Sequence, residues 1–203
     1  MSTKHATPVP LSRLNPFSYW VLNGKLAAGE YPGNQFSLNA ATMVATLVHQ
    51  VIALFSSGFK ARNTPSWKIG NLMDSGIDTF IDLTELGERP GYGTYLHKER
   101  RRRSRRSTYY RFPITDRDVP DKGVMKELLD LLGSEMDAGR TVYVHCFRGL
   151  GRTGTVVGCY LVNQGLSGSE ALSRISELRK DVAGSFRKSP ETDIQRDFVR
   201  NWS

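Results

Sequence analysis

The side chains best suited to chemistry are concentrated in one stretch, residues 142–154. A β-branched and aromatic run leads into Cys146, a glycine-spaced loop follows, and Arg152 precedes an apolar segment at 155–162. This pattern predicts a buried strand, a tight loop and a helix. The loop N–H groups and the helix N-terminus would favour an anion and the Cys146 thiolate. Because the guanidinium of Arg152 is a fork for two phosphate oxygens, the stretch predicts a thiolate aimed at phosphorus.

The spacing resembles the active-site signature of the protein tyrosine phosphatase superfamily. Residues 145–154 read His-Cys-Phe-Arg-Gly-Leu-Gly-Arg-Thr-Gly, which is most similar to the dual-specificity branch and in particular to its cell-cycle members. Cys-x5-Arg alone is weak evidence, whereas the extended form between a strand and a helix is specific. The alternative is a buried strand-to-helix turn with a structural cysteine.

The resemblance implies a role for each residue of the stretch. Cys146 would attack phosphorus as the thiolate, and Arg152 would hold the equatorial oxygens. Thr153 would stabilise the departing thiolate, and His145 would brace the loop rather than carry a proton. The phosphate-binding loop would consist of Phe147, Arg148, Gly149, Leu150 and Gly151.

A general acid is needed to protonate the leaving oxygen. Asp116 and Asp118 follow a predicted strand, 109–114. In related phosphatases the acid stands three residues after the strand-ending proline and four before another, and only Asp116 fits both spacings. Either aspartate could instead be a solvated turn residue, and Asp121 is expected to cap the next helix. Gln195 is a candidate for positioning the water, with a surface helix glutamine as the alternative.

Composition places the chain among ordinary globular proteins. Its 203 residues are 39% hydrophobic and 24% charged, which fits one compact domain with its own core. Two cysteines do not suggest a disulfide framework, and a free thiolate suggests an intracellular, cytoplasmic location. No signal-peptide pattern is apparent, no metal-ligand spacing occurs, and no cofactor is expected.

The positive charge of the chain is concentrated in one segment. The net charge is +8, and residues 97–106 contribute +6 of it. Arg100–Arg106 could dock a substrate or another anionic partner such as a membrane surface, bind nucleic acid or direct nuclear import, or form a solvated, mobile loop. Few aromatic residues interleave with the arginines, so specific nucleic-acid recognition is not expected.

Alternating elements predict an α/β fold with a single central, mostly parallel sheet flanked by helices and preceded by an N-terminal β-hairpin. The hairpin is expected at 19–29, with a strand at 77–84. Helices are expected over 67–75, 121–138, 167–180 and 189–202, and 85–95 is expected to be a loop. The fold is thus expected to be protein tyrosine phosphatase-like.

The domain organisation follows from the same pattern. Residues 1–16 are expected to form a flexible arm and 17–203 a single phosphatase domain, with 38–66 and 97–107 as insertions. The apolar segment 38–55 predicts an amphipathic helix, packed or partly exposed. A membrane span is the alternative, although polar residues interrupt the run.

The functional expectation is a cysteine-dependent phosphatase acting on phosphotyrosine, phosphoserine or phosphothreonine in proteins. Phosphoinositide or inositol-polyphosphate hydrolysis is an alternative, although lipid-directed relatives often carry lysines in the loop. A non-catalytic phospho-binding module and sulfur transfer on the cysteine are further alternatives. The module is less favoured because nucleophile, arginine and acid are all present.

Overall fold

The computed structural model describes residues 14–33, 65–89 and 91–203, in which five strands form one sheet. The strand order is β1-β2-β5-β3-β4, and only the β1–β2 pair is antiparallel. The strands are β1 (Ser18–Leu22), β2 (Leu26–Glu30), β3 (Thr79–Asp82), β4 (Thr108–Arg111) and β5 (Val142–Cys146). The predicted single, mostly parallel sheet with an N-terminal hairpin is confirmed.

Six helices cover the two faces of the sheet within the described ranges. They are α1 (Pro65–Asp74), α2 (Gly93–Arg103), α3 (Lys122–Asp137), α4 (Gly151–Asn163), α5 (Gly168–Leu178) and α6 (Asp193–Arg200). Helices α3 to α6 share one apolar cluster with Val142 and Val144, whereas α1 and α2 share another with Tyr143. The alternation along β5 therefore divides the core into two layers, as strand geometry requires.

Three parallel strands, β5, β3 and β4, place the loops that follow them at one edge of the sheet. Asp82 pairs with His145 across β3 and β5, and with Arg111 across β3 and β4. The loop after Cys146 therefore lies beside the loops that follow the other two strands. This edge, at the carboxyl ends of the strands, is the usual position of a site in an open α/β sheet.

The predicted loop at 85–95 is wrong from Gly93 onward, and the solvated-loop interpretation of the arginine run is wrong for Arg100–Arg103. Helix α2 begins at Gly93 and includes the first four arginines of the run, since arginine is a good helix former. Arg103 forms ion pairs with Glu99 one turn earlier and with Asp74 of α1, the latter at 2.6 Å. The ion pair with Asp74 helps to hold α2 against α1.

Two other helices, α4 and α6, begin at residues different from those predicted. Helix α4 begins at Gly151, four residues earlier than the apolar pattern at 155–162, so that Arg152 lies in its first turn. Helix α6 begins at Asp193 rather than at Ser189, because the Thr192 side chain accepts the helix-capping hydrogen bond. Asp121 precedes α3, but its side chain makes no capping bond.

The predicted apolar helix at 38–55 and the greater part of the N-terminal arm fall outside the described residues. The domain limits and the two insertions remain predictions. In the part of the chain that the structure describes, no helix combines the length and the apolar character needed to cross a membrane.

Candidate active site

The loop between β5 and α4 is fixed to the sheet and to the C-terminal segment. The carbonyl of Phe147 accepts a hydrogen bond from the Tyr31 N–H at 3.1 Å. The carbonyl of Leu150 accepts one from the Ser189 hydroxyl at 2.8 Å. These bonds, made on either side of Gly149, fix the path of the loop and leave Cys146 at the end of a buried strand.

Glycine is required at position 149 by both conformation and space. Its φ is +66°, and a Cβ there would lie 2.4 Å from the carbonyl carbon of Gly29. No side chain fits so close to another backbone. The close approach of the loop to β2 therefore requires glycine at position 149.

Several loop N–H groups have no partner in the described protein. Those of Arg148, Gly149 and Leu150 donate to no described group. The N–H groups of Gly151 and Arg152 belong to the first turn of α4, where no intrahelical acceptor exists. A run of open donors at a helix N-terminus is suited to an oxyanion.

Arg152 is buried to 1% exposure and is held by a carboxylate that the sequence analysis did not identify. Its Nη1 and Nη2 donate to the two oxygens of Glu88 at 2.6 and 2.7 Å. Nη1 also donates to the Ile114 carbonyl at 3.0 Å. Burial alone would lower the pKa of Arg152, but the hydrogen bonds to Glu88 and the charges of Cys146, Glu88 and Asp116 together raise that pKa. Conversely, burial would raise the pKa of Glu88, but its bond to Arg152, a bond from the Glu85 N–H and the charges of Arg152 and Arg89 together lower it. The pair is therefore charged.

Of the two candidate acids, Asp116 faces the cysteine loop. Its Oδ1 lies 3.0 Å from Nη2 of Arg152, and its side chain is 63% exposed. Its N–H lies 3.4 Å from the Glu85 carboxylate, which also accepts from Thr115. Asp118 instead accepts a local bond from the Val119 N–H at 2.9 Å. The structure thus brings Asp116, and not Asp118, to Arg152.

His145 lies behind the loop, fully buried. Its Nε2 is 2.8 Å from the Tyr92 hydroxyl, its ring stacks on Tyr143, and Nδ1 is 3.9 Å from Asp82 Oδ1. Burial lowers its pKa, so the ring is neutral near pH 7. This environment suits the predicted bracing role.

Thr153 and Gln195 lie close to the same loop. The hydroxyl of Thr153 is buried and has no hydrogen-bond partner among the described residues. Gln195 is fully buried, so the surface-glutamine alternative is wrong. Its carboxamide accepts from the Thr192 N–H at 3.1 Å, donates to the Asp118 carbonyl at 3.0 Å and packs on Gly151. Its contacts hold the acid loop, and a water-positioning role remains a prediction.

A cavity of about 320 Å³ lies beside the cysteine loop. Its lining includes the predicted nucleophile, arginine and acid, together with residues from four loops: Glu88, Arg89, Asp116, Arg117, Cys146, Phe147, Arg148, Gly151, Arg152 and Glu191. The second cysteine, Cys159, is buried in α4, and burial raises the pKa of its thiol. No cluster of three or more His, Cys, Asp or Glu able to hold a metal ion occurs in ranges 14–33, 65–89 and 91–203.

Together the sheet and the Cys146–Arg152 loop define a phosphatase domain of the tyrosine and dual-specificity class. A family model described as "PTP-SAK: Swiss Army Knife protein, DSP-PTPase phosphatase domain" matches residues 56–195, more than two thirds of the chain. The chain belongs to this family. The resemblance predicted from the signature is confirmed.

Curated relatives are larger proteins that share less than half of this chain. One from Arabidopsis thaliana, named phosphatidylinositol 3,4,5-trisphosphate 3-phosphatase and protein-tyrosine-phosphatase PTEN1, is 33% identical over 95 residues. That match covers 46% of this chain and 22% of the relative. Protein tyrosine phosphatase domain-containing protein 1 of Mus musculus is 30% identical over 101 residues, 46% of this chain and 13% of the relative.

Solved structures show the same fold at low sequence identity. Tk-PTP in the active form is 20% identical with a TM-score of 0.63, covering 93% of this chain and 97% of that one. The complex of PTPMT1 with PI(5)P is 15% identical with a TM-score of 0.55, covering 91% and 95%. These likenesses establish the fold of the chain.

Proposed function

We propose that the protein hydrolyses phosphomonoesters through a phosphocysteine intermediate. In the first step the Cys146 thiolate attacks phosphorus, so that a sulfur–phosphorus bond forms while the bond to the leaving oxygen breaks. Asp116 donates its proton to that oxygen. The observation that carries the proposal is that Cys146, Arg152 and Asp116 line one cavity, with the last two 3.0 Å apart.

The second step returns the enzyme to its starting state. Asp116, now a carboxylate, takes a proton from water as the water oxygen attacks phosphorus. The sulfur–phosphorus bond breaks, and Cys146 leaves as a thiolate. Thr153 donates a hydrogen bond to the departing sulfur, a role supported by its buried hydroxyl, which lacks another partner among the described residues.

Arg152 and the loop N–H groups hold the equatorial oxygens while charge moves from the attacking sulfur to the leaving oxygen. Glu88 and the Ile114 carbonyl fix the guanidinium before substrate arrives. A bound phosphate would compete with Asp116 for Nη2 of Arg152. That exchange would free the Asp116 carboxyl to face the leaving group.

The first candidate substrate is a phosphorylated protein, with the phosphate on tyrosine, serine or threonine. It is supported by membership of the DSP-PTPase family and by the open acid side of the cavity, where Asp116 is 63% exposed. A phosphoinositide is the second candidate. Three further arginines line the cavity, Arg89, Arg117 and Arg148, and they would suit a polyanionic headgroup.

The test is hydrolysis of para-nitrophenyl phosphate with a chelator present, across pH, for the wild type and three variants. Cys146→Ser should abolish turnover, and Asp116→Asn should remove the basic limb of the profile. Asp118→Asn is the matched control and should keep the wild-type profile. A wild type that binds phosphate without turnover would sink the catalytic proposal and leave the phospho-binding module.

The exposed arginines of the basic run are proposed to contact an anionic partner. Arg101, Arg102 and Arg106 are exposed, whereas Arg103 and Arg105 are bound to carboxylates. Replacement of the first three by glutamine should weaken binding to anionic vesicles or acidic peptides without loss of folding. Unchanged binding to both would contradict the proposal.

A further inference from the structure

Two arginines at the cavity share one carboxylate. Arg117 follows the candidate acid, and Arg148 belongs to the cysteine loop. Their Nη1 atoms lie 3.4 and 3.7 Å from the same oxygen, Oε1 of Glu191. All three residues line the cavity that contains Cys146.

This cluster has unused capacity for an anion. Charge-assisted hydrogen bonds are normally about 2.7–2.9 Å long, so both contacts with Glu191 are loose. Each guanidinium carries five donors, and the side chains of Arg117 and Arg148 are 63% and 51% exposed. Two cations against one carboxylate leave a net positive charge. Because both Nη1 atoms approach one oxygen, they lie within about 7 Å of each other.

The backbone, rather than Glu191, sets the position of these arginines. Arg117 has φ of +66°, uncommon for a residue with a side chain. Its carbonyl accepts a hydrogen bond from the Thr192 hydroxyl at 3.1 Å, and the next carbonyl, of Asp118, accepts from Gln195. Arg148 is held by the fixed cysteine loop. The backbone of both arginines would therefore stay in place if Glu191 turned away, and both side chains would still reach the cavity that they line.

We propose that Arg117 and Arg148 form a second anion subsite, for a carboxylate or phosphate on a residue next to the target phosphoresidue of a peptide. This inference rests on the proposed function. Glu191 occupies the subsite in the free protein and gives way to the substrate's second anion.

The two anion sites lie at different depths in the cavity, which favours a peptide over a ring bisphosphate as the ligand. Arg152, which would hold the reacting phosphate, is 1% exposed, whereas Arg117 and Arg148 are open to solvent. A phosphoresidue reaching inward from a backbone outside the cavity leaves its neighbour at the rim, while a compact ring bisphosphate would present both phosphates at similar depth.

The experiment measures kcat/KM for three matched phosphopeptides whose flanking residue is alanine, aspartate or phosphothreonine. The wild type should hydrolyse the peptides with an anionic flanking residue with a kcat/KM about tenfold higher than that for the alanine peptide. This factor corresponds to the lower end of the free energy of a charge-assisted hydrogen bond, as expected at an exposed site. Arg117→Asn, which tolerates positive φ, should remove most of that preference. Glu191→Gln should increase it by a few fold, because the competing charge is gone. Arg174→Asn removes an arginine of α5 that is 51% exposed and lies outside the cavity lining, and it should leave the ratio unchanged.

The readouts separate the subsite from the proposed function. Hydrolysis of para-nitrophenyl phosphate, which has no second anion, reports the proposed function alone. If that activity is absent, the affinities of the same peptides for the Cys146→Ser variant decide the subsite. Equal values for the three peptides, or an equal effect of Arg174→Asn, would overturn the subsite. A stronger gain from a second phosphate on inositol bisphosphate than on the peptide would overturn the peptide assignment.

Discussion

Replacement of Glu88 by glutamine tests whether this carboxylate positions the central arginine. The variant keeps the shape of the side chain and removes its charge. Glutamine can accept one of the two hydrogen bonds from Arg152, but its amide nitrogen would face the other guanidinium nitrogen. We expect Arg152 to lose its fixed orientation in the free enzyme.

The expected loss in free energy of unfolding depends on how deeply the ion pair is buried. Removal of one partner from a fully buried ion pair costs about 3–5 kcal/mol. Glu88 is 19% exposed and Asp116 stays 3.0 Å from Arg152, so the expected loss in free energy of unfolding is smaller. We estimate about 1–3 kcal/mol from one lost charge-assisted bond. In kcat/KM, a comparable loss of transition-state stabilisation is roughly 10- to 100-fold.

Two assays check the prediction: urea unfolding near pH 7 and steady-state hydrolysis of para-nitrophenyl phosphate. Glu127→Gln, at an exposed position of α3, is the charge-matched control and should change neither. Wild-type values for Glu88→Gln would refute the positioning role. A faster variant would also refute it, because it would mean that the carboxylate competes with the substrate for Arg152.

Three other perturbations follow from the structure. Gly149→Ala should lower both the urea midpoint and kcat/KM, since overpacking costs about 1–3 kcal/mol and its Cβ meets backbone; normal values would contradict the close approach. Arg103→Ala should reduce thermal stability whereas Arg101→Ala should not, because only the former has carboxylate partners; equal melting temperatures would count against this difference. Burial lowers the pKa of His145, so the unfolded chain binds a proton below about pH 6.5 while the folded protein does not. Stability should therefore fall as the pH drops below that value, by at most about 1.4 kcal/mol per pH unit, and His145→Asn should flatten this dependence in urea unfolding. The same pH dependence in that variant would exclude His145 as its source.

The sheet and the cysteine loop could be predicted because their signals are local. The β5 sequence is a buried strand by composition, and the spacing from Cys146 to Arg152 matches the signature of the phosphatase family. Asp116 was found by its spacing from the neighbouring prolines, although its role remains a proposal. Each of these inferences uses residues within a short segment.

Contacts between distant segments could not be read in the same way. Glu88 lies 64 positions from Arg152, in a glycine-rich segment without periodicity, and nothing local distinguishes its carboxylate. The need of a buried arginine for a counter-charge was the available signal, since the loops after β3 and β5 lie at one edge. Helix α2 was missed because its arginine run resembles a solvated segment, whereas Asp74 provides a partner that only the fold brings near.

Gln195 connects α6 to two parts of the candidate active site. One carboxamide caps α6, holds the carbonyl of Asp118 and packs against Gly151. Local opening of α6 would thus release the acid loop and the start of α4 together, in one cooperative unit. Helix α6 thereby helps to keep the candidate acid and the cysteine loop aligned. Under the proposed function, substitutions in α6 should lower turnover before they lower global stability.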